Sequence, residues 1–207
     1  MPLADLPNVI FDLGGVLLRW DTRGIVDAVY TDAQTRELVH AAVFEHPDWL
    51  ELDRGALTED EAVERFAHRT GQPRTAMVEL MDEVRRCLAP QPAAMDLLTE
   101  LAECGVPLYC LSNMHDRNID FLTGQYAFFE RFRGAIYSAE VKLIKPDPAI
   151  YEYAASTFGL EAADCVFVDD ADENVEAARS AGWHAVRFND AAQCRAELIS
   201  LAARWAG

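Results

Sequence analysis

Four short stretches carry oxygen ligands and a cation where they would do chemistry together. NVIFDLGGVLL, residues 8–18, puts Asp12 at the end of an apolar run with two glycines close behind. YCLSN ends a second run on Ser112 and Asn113, and CVFVDD ends another on Asp169 and Asp170. VKLIKPDP holds Lys145 and the chain's only other lysine, Lys142. Three carboxylates gathered at a partly buried edge repel one another, and burying them unpaired is costly. A divalent cation resolves that conflict. An oxygen-only ligand set favours Mg²⁺, which keeps waters and takes a few carboxylates together with substrate phosphate. Lys145 neutralises more of the charge, and the Ser112 hydroxyl and turn N–H groups suit phosphate oxygens. An aspartate beside Mg²⁺ and a phosphate is a candidate nucleophile, acting through an aspartyl-phosphate.

The elements that must position these groups alternate. NVIF is a buried strand by its continuous apolar run, and VLL, beyond the glycines, is a second β-rich segment. From Asp21 to Leu88 the pattern is helical: Thr31 to Val43, a helix opened by Thr58 with Glu61 closing a capping box, and Pro73 to Cys87. Beyond Pro90 and Pro92 strands and helices take turns: helix Ala93–Cys104, strand Val106–Ser112, helix Arg117–Leu122, strand Gly134–Ser138 and helix Pro148–Phe158. Strand Cys165–Asp170, helix Glu173–Ala181, a strand in WHAVRF and helix Ala191–Trp205 complete the series. Such alternation implies right-handed βαβ units, a parallel sheet and an α/β fold. In open sheets of this kind ligands bind beyond the carboxyl ends of the strands, where Asp12, Ser112, Asn113, Lys145, Asp169 and Asp170 all fall.

Composition narrows the partners. With a formal net charge of -17, the chain lacks the cationic face that nucleic acids and anionic membranes require, so neither is an expected partner. Its 51% hydrophobic content supports a packed core within 207 residues. Cys87, Cys104, Cys110, Cys165 and Cys194 make no CxxC pair and no zinc spacing, and are read as reduced core residues. The opening has no basic region before an apolar stretch, and no apolar run reaches membrane-spanning length. A soluble cytoplasmic protein is the expectation, monomer or homodimer.

Taken in order, FDLGGVL, LSN, KPDPAIY and FVDDADENVEAARSAG resemble the four motifs of the haloacid dehalogenase (HAD) superfamily. The FDLG form and the stretch ELDRGALTEDEA are similar to a branch that includes sugar-phosphate phosphatases. The resemblance implies a Rossmann-like core (1–18 and 90–207) with an inserted small α-helical cap (19–89). It implies Mg²⁺ as cofactor and phosphoryl transfer from a small phosphorylated metabolite. Asp12 is then nucleophile and metal ligand, and Ser112 and the N–H of Asn113 bind phosphate. Lys145 orients and neutralises Asp12 and the phosphate. Asp170 is the direct metal ligand, Asp169 stands beside it, and Asn174 braces the loop.

The chain departs from that pattern at Gly14, where most family phosphatases carry an aspartate serving as general acid and base. Its backbone carbonyl still suits the metal, but the proton donor is lost. General acid catalysis typically contributes about 10²–10⁴-fold. Asp53, Glu51, His46 or a water are alternative proton sources. Two other functions follow: a metal-free haloacid dehalogenase, which the Asp169–Asp170 pair disfavours, and a phosphate-binding module with little turnover. Asp53 and Arg54, before the Gly55 turn, are candidate substrate contacts, and Trp20, Trp49 and Tyr30 line or pack the cap. Phe128, Phe129 and Phe132 are read as core or interface, Lys142 as a solvated neighbour, and His115 as a surface residue or substrate contact.

Overall fold

Val9, Ile10 and Phe11 are completely buried, so the strand they form, β1 (Val9–Phe11), must be covered on both faces. A computed structural model describes residues 3–205 and places β1 at the centre of a five-stranded sheet, every strand parallel. The other strands are β2 (Leu108–Ser112), β3 (Gly134–Tyr137), β4 (Val166–Asp169) and β5 (His184–Arg187). The sheet order is β3-β2-β1-β4-β5. Successive residues point to opposite faces. Val9, Phe11, Val166 and Val168 thus join one core cluster, while Ile10 and Phe167 join the other.

The chain runs outward from β1 through β2 to β3, then returns to the other side of β1 for β4 and β5. The reversal opens a crevice beside β1 at the carboxyl ends of the strands. Register sets what meets there. Phe11 lies opposite Val168, and Asp12 N–H donates to the Val168 carbonyl at 2.9 Å, so Asp12 comes level with the end of β4.

Five helices fall between β1 and α6 (Pro92–Glu103): α1 (Thr22–Val29), α2 (Ala33–Val43), α3 (Pro47–Asp53), α4 (Glu59–Thr70) and α5 (Arg74–Cys87). The capping box that opens α4 is complete: Glu61 N–H donates to Thr58 Oγ1 at 3.2 Å, and Thr58 N–H donates to Glu61 Oε2 at 2.9 Å. Two of the five, α1 and α3, go beyond the sequence reading. Each has a local signal: the Asp21 side chain caps α1, while α3 begins with Pro47 behind a capping His46. VLL is not a strand. Leu18 N–H returns to the Leu13 carbonyl at 2.8 Å, and only isolated bridges join Leu18 to Gly14 and Pro90.

After β2 come α7 (Asp116–Gln125), α8 (Ser138–Val141), α9 (Pro148–Phe158), α10 (Asp172–Ser180) and α11 (Ala191–Ala202). The expected core limits at residues 1 and 207 lie outside the described residues. Thr58→Ala removes one half of the α4 capping box and should lower stability by about 1 kcal/mol. The expected outcome is a lower urea midpoint at unchanged slope.

Candidate active site

The site begins with a charge problem. Asp12 follows β1 and is nearly buried, Asp169 ends β4 and is fully buried, and Asp170 is half-buried beside it. One carboxylate oxygen from each of the three lies within 4.8 Å of the others. The buried Lys145 ammonium sits between two of them, 2.9 Å from Asp12 Oδ1 and 2.6 Å from Asp169 Oδ2. One cation does not balance three anions at these distances. Burial, aggravated by Asp169 and Asp170 and only partly relieved by Lys145, pushes the Asp12 carboxyl up to about 6. Asp170 is raised as well, by burial and then by Asp169. Burial opposes the charge on Lys145, but Asp12 and Asp169 outweigh it and hold the ammonium protonated.

The unbalanced set of hard oxygen donors fits Mg²⁺. The carboxylates differ in how much they have left to offer. Asp169 Oδ1 accepts from Ala171 N–H at 2.8 Å and from Asn174 Nδ2 at 3.0 Å. Its Oδ2 takes Lys145 and Asn174 Nδ2, the latter at 3.1 Å. Asn174 thus clamps Asp169, and Tyr151 holds Asn174 in turn by donating to its carbonyl at 2.9 Å. Asp12 and Asp170 keep more open coordination.

Ser112, at the end of β2, is buried and lines a cavity of about 220 Å³ together with Asp12, Gly14, Asn113 and Asp170. The Asn113 side chain has a task beyond the expected backbone contact. Its Oδ1 accepts from Lys145 N–H at 2.9 Å and its Nδ2 donates to the Lys145 carbonyl at 3.0 Å. That pair fixes the loop presenting the lysine.

The two glycines after Asp12 do different work. Gly15 has φ +75, and a Cβ there would lie 2.2 Å from Asp170 Oδ2, so any other residue is strained and must push Asp170 aside. Gly14 is under no such constraint. A Cβ there would meet nothing closer than Trp20, at 3.9 Å. The side chain absent from position 14 is therefore not excluded by the backbone.

The five-helix segment supplies much of the remaining cavity wall. Trp20, Trp49 and Leu50 line it, joined by Leu88 and Met114, with Asp53 and Asn118 as polar members. Arg54 is not among the lining residues and pairs with Glu51 at 3.0 Å. Tyr30 is buried away from the cavity. Lys142 is exposed, as a solvated neighbour should be, and its Nζ also donates to the Gly55 carbonyl at 2.7 Å. His115 is not a surface residue: it is buried, with Nδ1 3.1 Å from Asp53 Oδ1 and Nε2 3.4 Å from Glu59 Oε2. Glu59 is tied further to Arg85 at 2.7 Å and to Arg117 at 3.1 Å. No local sequence signal marks His115, because its partners come from α3 and α4.

A parallel α/β sheet that presents a carboxylate–lysine cluster at its carboxyl edge, beneath an inserted helical segment, defines a class of hydrolase. Residues 7–182 match the haloacid dehalogenase-like hydrolase family, and the chain belongs to it. It is 29% identical over 192 residues to the sesquiterpene phosphatase astK of Aspergillus oryzae, covering 93% of this chain and 94% of that one. Against the drimenol cyclase drtB of Aspergillus calidoustus the identity is 28%, over 93% of this chain but only 36% of the cyclase. The fold matches the HAD family enzyme bt-2542 of Bacteroides thetaiotaomicron, solved with magnesium and inorganic phosphate. That match has a TM-score of 0.71 at 23% identity, covering 88% of this chain and 93% of the other.

Two substitutions probe this geometry. Gly15→Ala should cost about 1–2 kcal/mol from its left-handed backbone alone. It should also displace Asp170, seen as a smaller rise in melting temperature on adding Mg²⁺. Burial would raise the Glu59 carboxyl, but His115 and Arg85 outweigh it and hold it at about 2, below the ordinary 4.5. A depressed folded-state value contributes stability above the unfolded value and loses it as the carboxylate protonates. The melting-temperature advantage over Glu59→Gln should therefore be full above pH 5 and shrink as pH falls from about 4.5 towards 2.

Proposed function

We propose that the chain is a Mg²⁺-dependent phosphatase hydrolysing a small phosphomonoester with an apolar organic group, through an aspartyl-phosphate on Asp12. The observation that carries this reading is the clustering of Asp12, Asp169 and Asp170 around a single lysine. A metal-free dehalogenase would leave those carboxylates without their counter-charge. The phosphatase name of the Aspergillus oryzae relative, which this chain matches over nearly its whole length, supports the same reading. An apolar group is favoured over a sugar because Trp20, Trp49, Leu50, Leu88 and Met114 line the cavity, and a sugar's hydroxyls would find few partners there. Both terpenoid-related names among the relatives agree with that choice.

The residues take the following parts. Asp12 attacks phosphorus, and Lys145 holds Asp12 in line and carries positive charge toward the phosphoryl oxygens. Ser112 and the Asn113 N–H bind the phosphate. Asp12, Asp170 and the Gly14 carbonyl would hold Mg²⁺, with Asp169 as a brace beside them. Bound there, Mg²⁺ supplies neutralisation of phosphoryl charge and a template for in-line attack. The helices of residues 19–89 act as a cap on the core. No helix among the described residues is long and apolar enough to cross a membrane. All five cysteines are free, which suits a reducing cytoplasm.

A panel of alkyl, prenyl and sugar phosphomonoesters, assayed with Mg²⁺ and with EDTA, tests this reading. Turnover of apolar members should stop with EDTA and fall by several orders of magnitude in Asp12→Asn. Halide release from 2-haloacids without Mg²⁺ would instead make the chain a dehalogenase. Calorimetric phosphate binding without hydrolysis of any member would make it a binding module.

A further inference from the structure

Position 14 lacks the usual proton donor, yet a departing alkoxide must be protonated. We propose that Asp53, held by His115, donates that proton; the inference rests on the phosphatase reading above. Asp53 lines the same cavity as Asp12 and Ser112, which neither Glu51 nor His46 does. Glu51 is paired with Arg54, and His46 Nδ1 accepts from Asp48 N–H at 3.1 Å to cap α3. Asp53 is also tied to the core through its backbone. Its carbonyl accepts from Ser138 Oγ at 2.5 Å, and that oxygen accepts from Met114 N–H at 2.9 Å. Two residues on, the Gly55 carbonyl accepts from Lys142. A Cβ at Gly55 would lie 2.7 Å from the Ala139 carbonyl, so the close approach depends on glycine.

The carboxyl itself is oriented by His115 Nδ1 at 3.1 Å, with Glu59 behind the other ring nitrogen and Arg85 and Arg117 beyond it. Burial pushes the Asp53 carboxyl up, against the pull of His115.

The steps balance. Asp12 Oδ forms a bond to phosphorus as the bond to the organic oxygen breaks. The electron pair stays on that oxygen, which takes the proton from Asp53, and the alcohol leaves. Water then attacks the aspartyl-phosphate, its proton passes to the Asp53 carboxylate, and the bond from phosphorus to Asp12 breaks. Inorganic phosphate leaves and both aspartates are restored. Asp53 is the catalytic residue and His115 the positioning residue.

Leaving-group dependence separates this role from a structural one. Decyl phosphate expels an alkoxide that needs a proton, whereas p-nitrophenyl phosphate expels a stable phenolate. In the full chain with Mg²⁺, Asp53→Asn should lower kcat/KM on decyl phosphate about 10²–10⁴-fold and far less on p-nitrophenyl phosphate, while kcat falls on both because the second step is shared. Equal losses of kcat/KM on both esters, or none on either, would overturn the assignment. His115→Gln, which keeps the carboxyl, should give a smaller loss with the same bias, and an unbiased loss in that folded variant would also overturn it. Gly14→Asp added to Asp53→Asn should restore decyl phosphate turnover, since the position has room. A wild-type chain that hydrolyses neither ester would refute the phosphatase reading itself, and the donor with it.

Discussion

The Lys145 ammonium, buried between Asp12 and Asp169, is the interaction on which the rest of the site depends. Without it Asp12 and Asp169 would lose their only ion-pair partner among the described residues, beside Asp170. Breaking a buried pair by removing one partner typically costs about 3–5 kcal/mol, because the charge left behind is uncompensated. Much of the neighbouring structure keeps that one side chain in place. Asn113 clamps the Lys145 backbone from both sides, and Asn174 and the Ala171 N–H hold Asp169 to meet it. These groups belong to separate loops, so the lysine also locks the ends of β1, β2 and β4 together.

A second set of contacts reaches upward from the same edge. Ser138 and Lys142, just beyond β3, bind the backbone at Asp53 and Gly55, while His115, just beyond β2, binds the Asp53 side chain. The strand ends that form the charged side of the cavity therefore also hold the inserted helices over it. Trp20 and Trp49 fill part of the enclosed space at a ring separation of 5.8 Å, giving the cavity an apolar wall beside its charged one. The cavity thus sets a charged wall and an apolar wall side by side.

Much of this was legible along the chain. The alternation of strands and helices after Pro90 is local hydrophobic periodicity, and the parallel sheet carries it with ends shifted by a few residues. The Thr58–Glu61 capping box needs only four consecutive residues, and it is present. VLL misled because its apolar side chains pack into a core without strand pairing: Val16, Leu17 and Leu18 are fully buried in a turn. Helix α3 was hidden because seven residues are too few for a clear helical period.

By itself the sequence located the carboxylates, the hydroxyl and the lysine that the structure brings together. A carboxylate, a hydroxyl and a lysine each sit where a strand or its following loop ends, and side-chain type and local periodicity are properties of short segments. Tertiary structure decided what those groups do to one another. His115 meets Asp53 across 62 positions of chain, and Asn113 meets Lys145 across 32. Gly15, not Gly14, is the glycine that the backbone favours, because its φ is +75 and Asp170 packs where its Cβ would be. Such contacts depend on sheet order and on where distant loops are brought together, and no short segment encodes either.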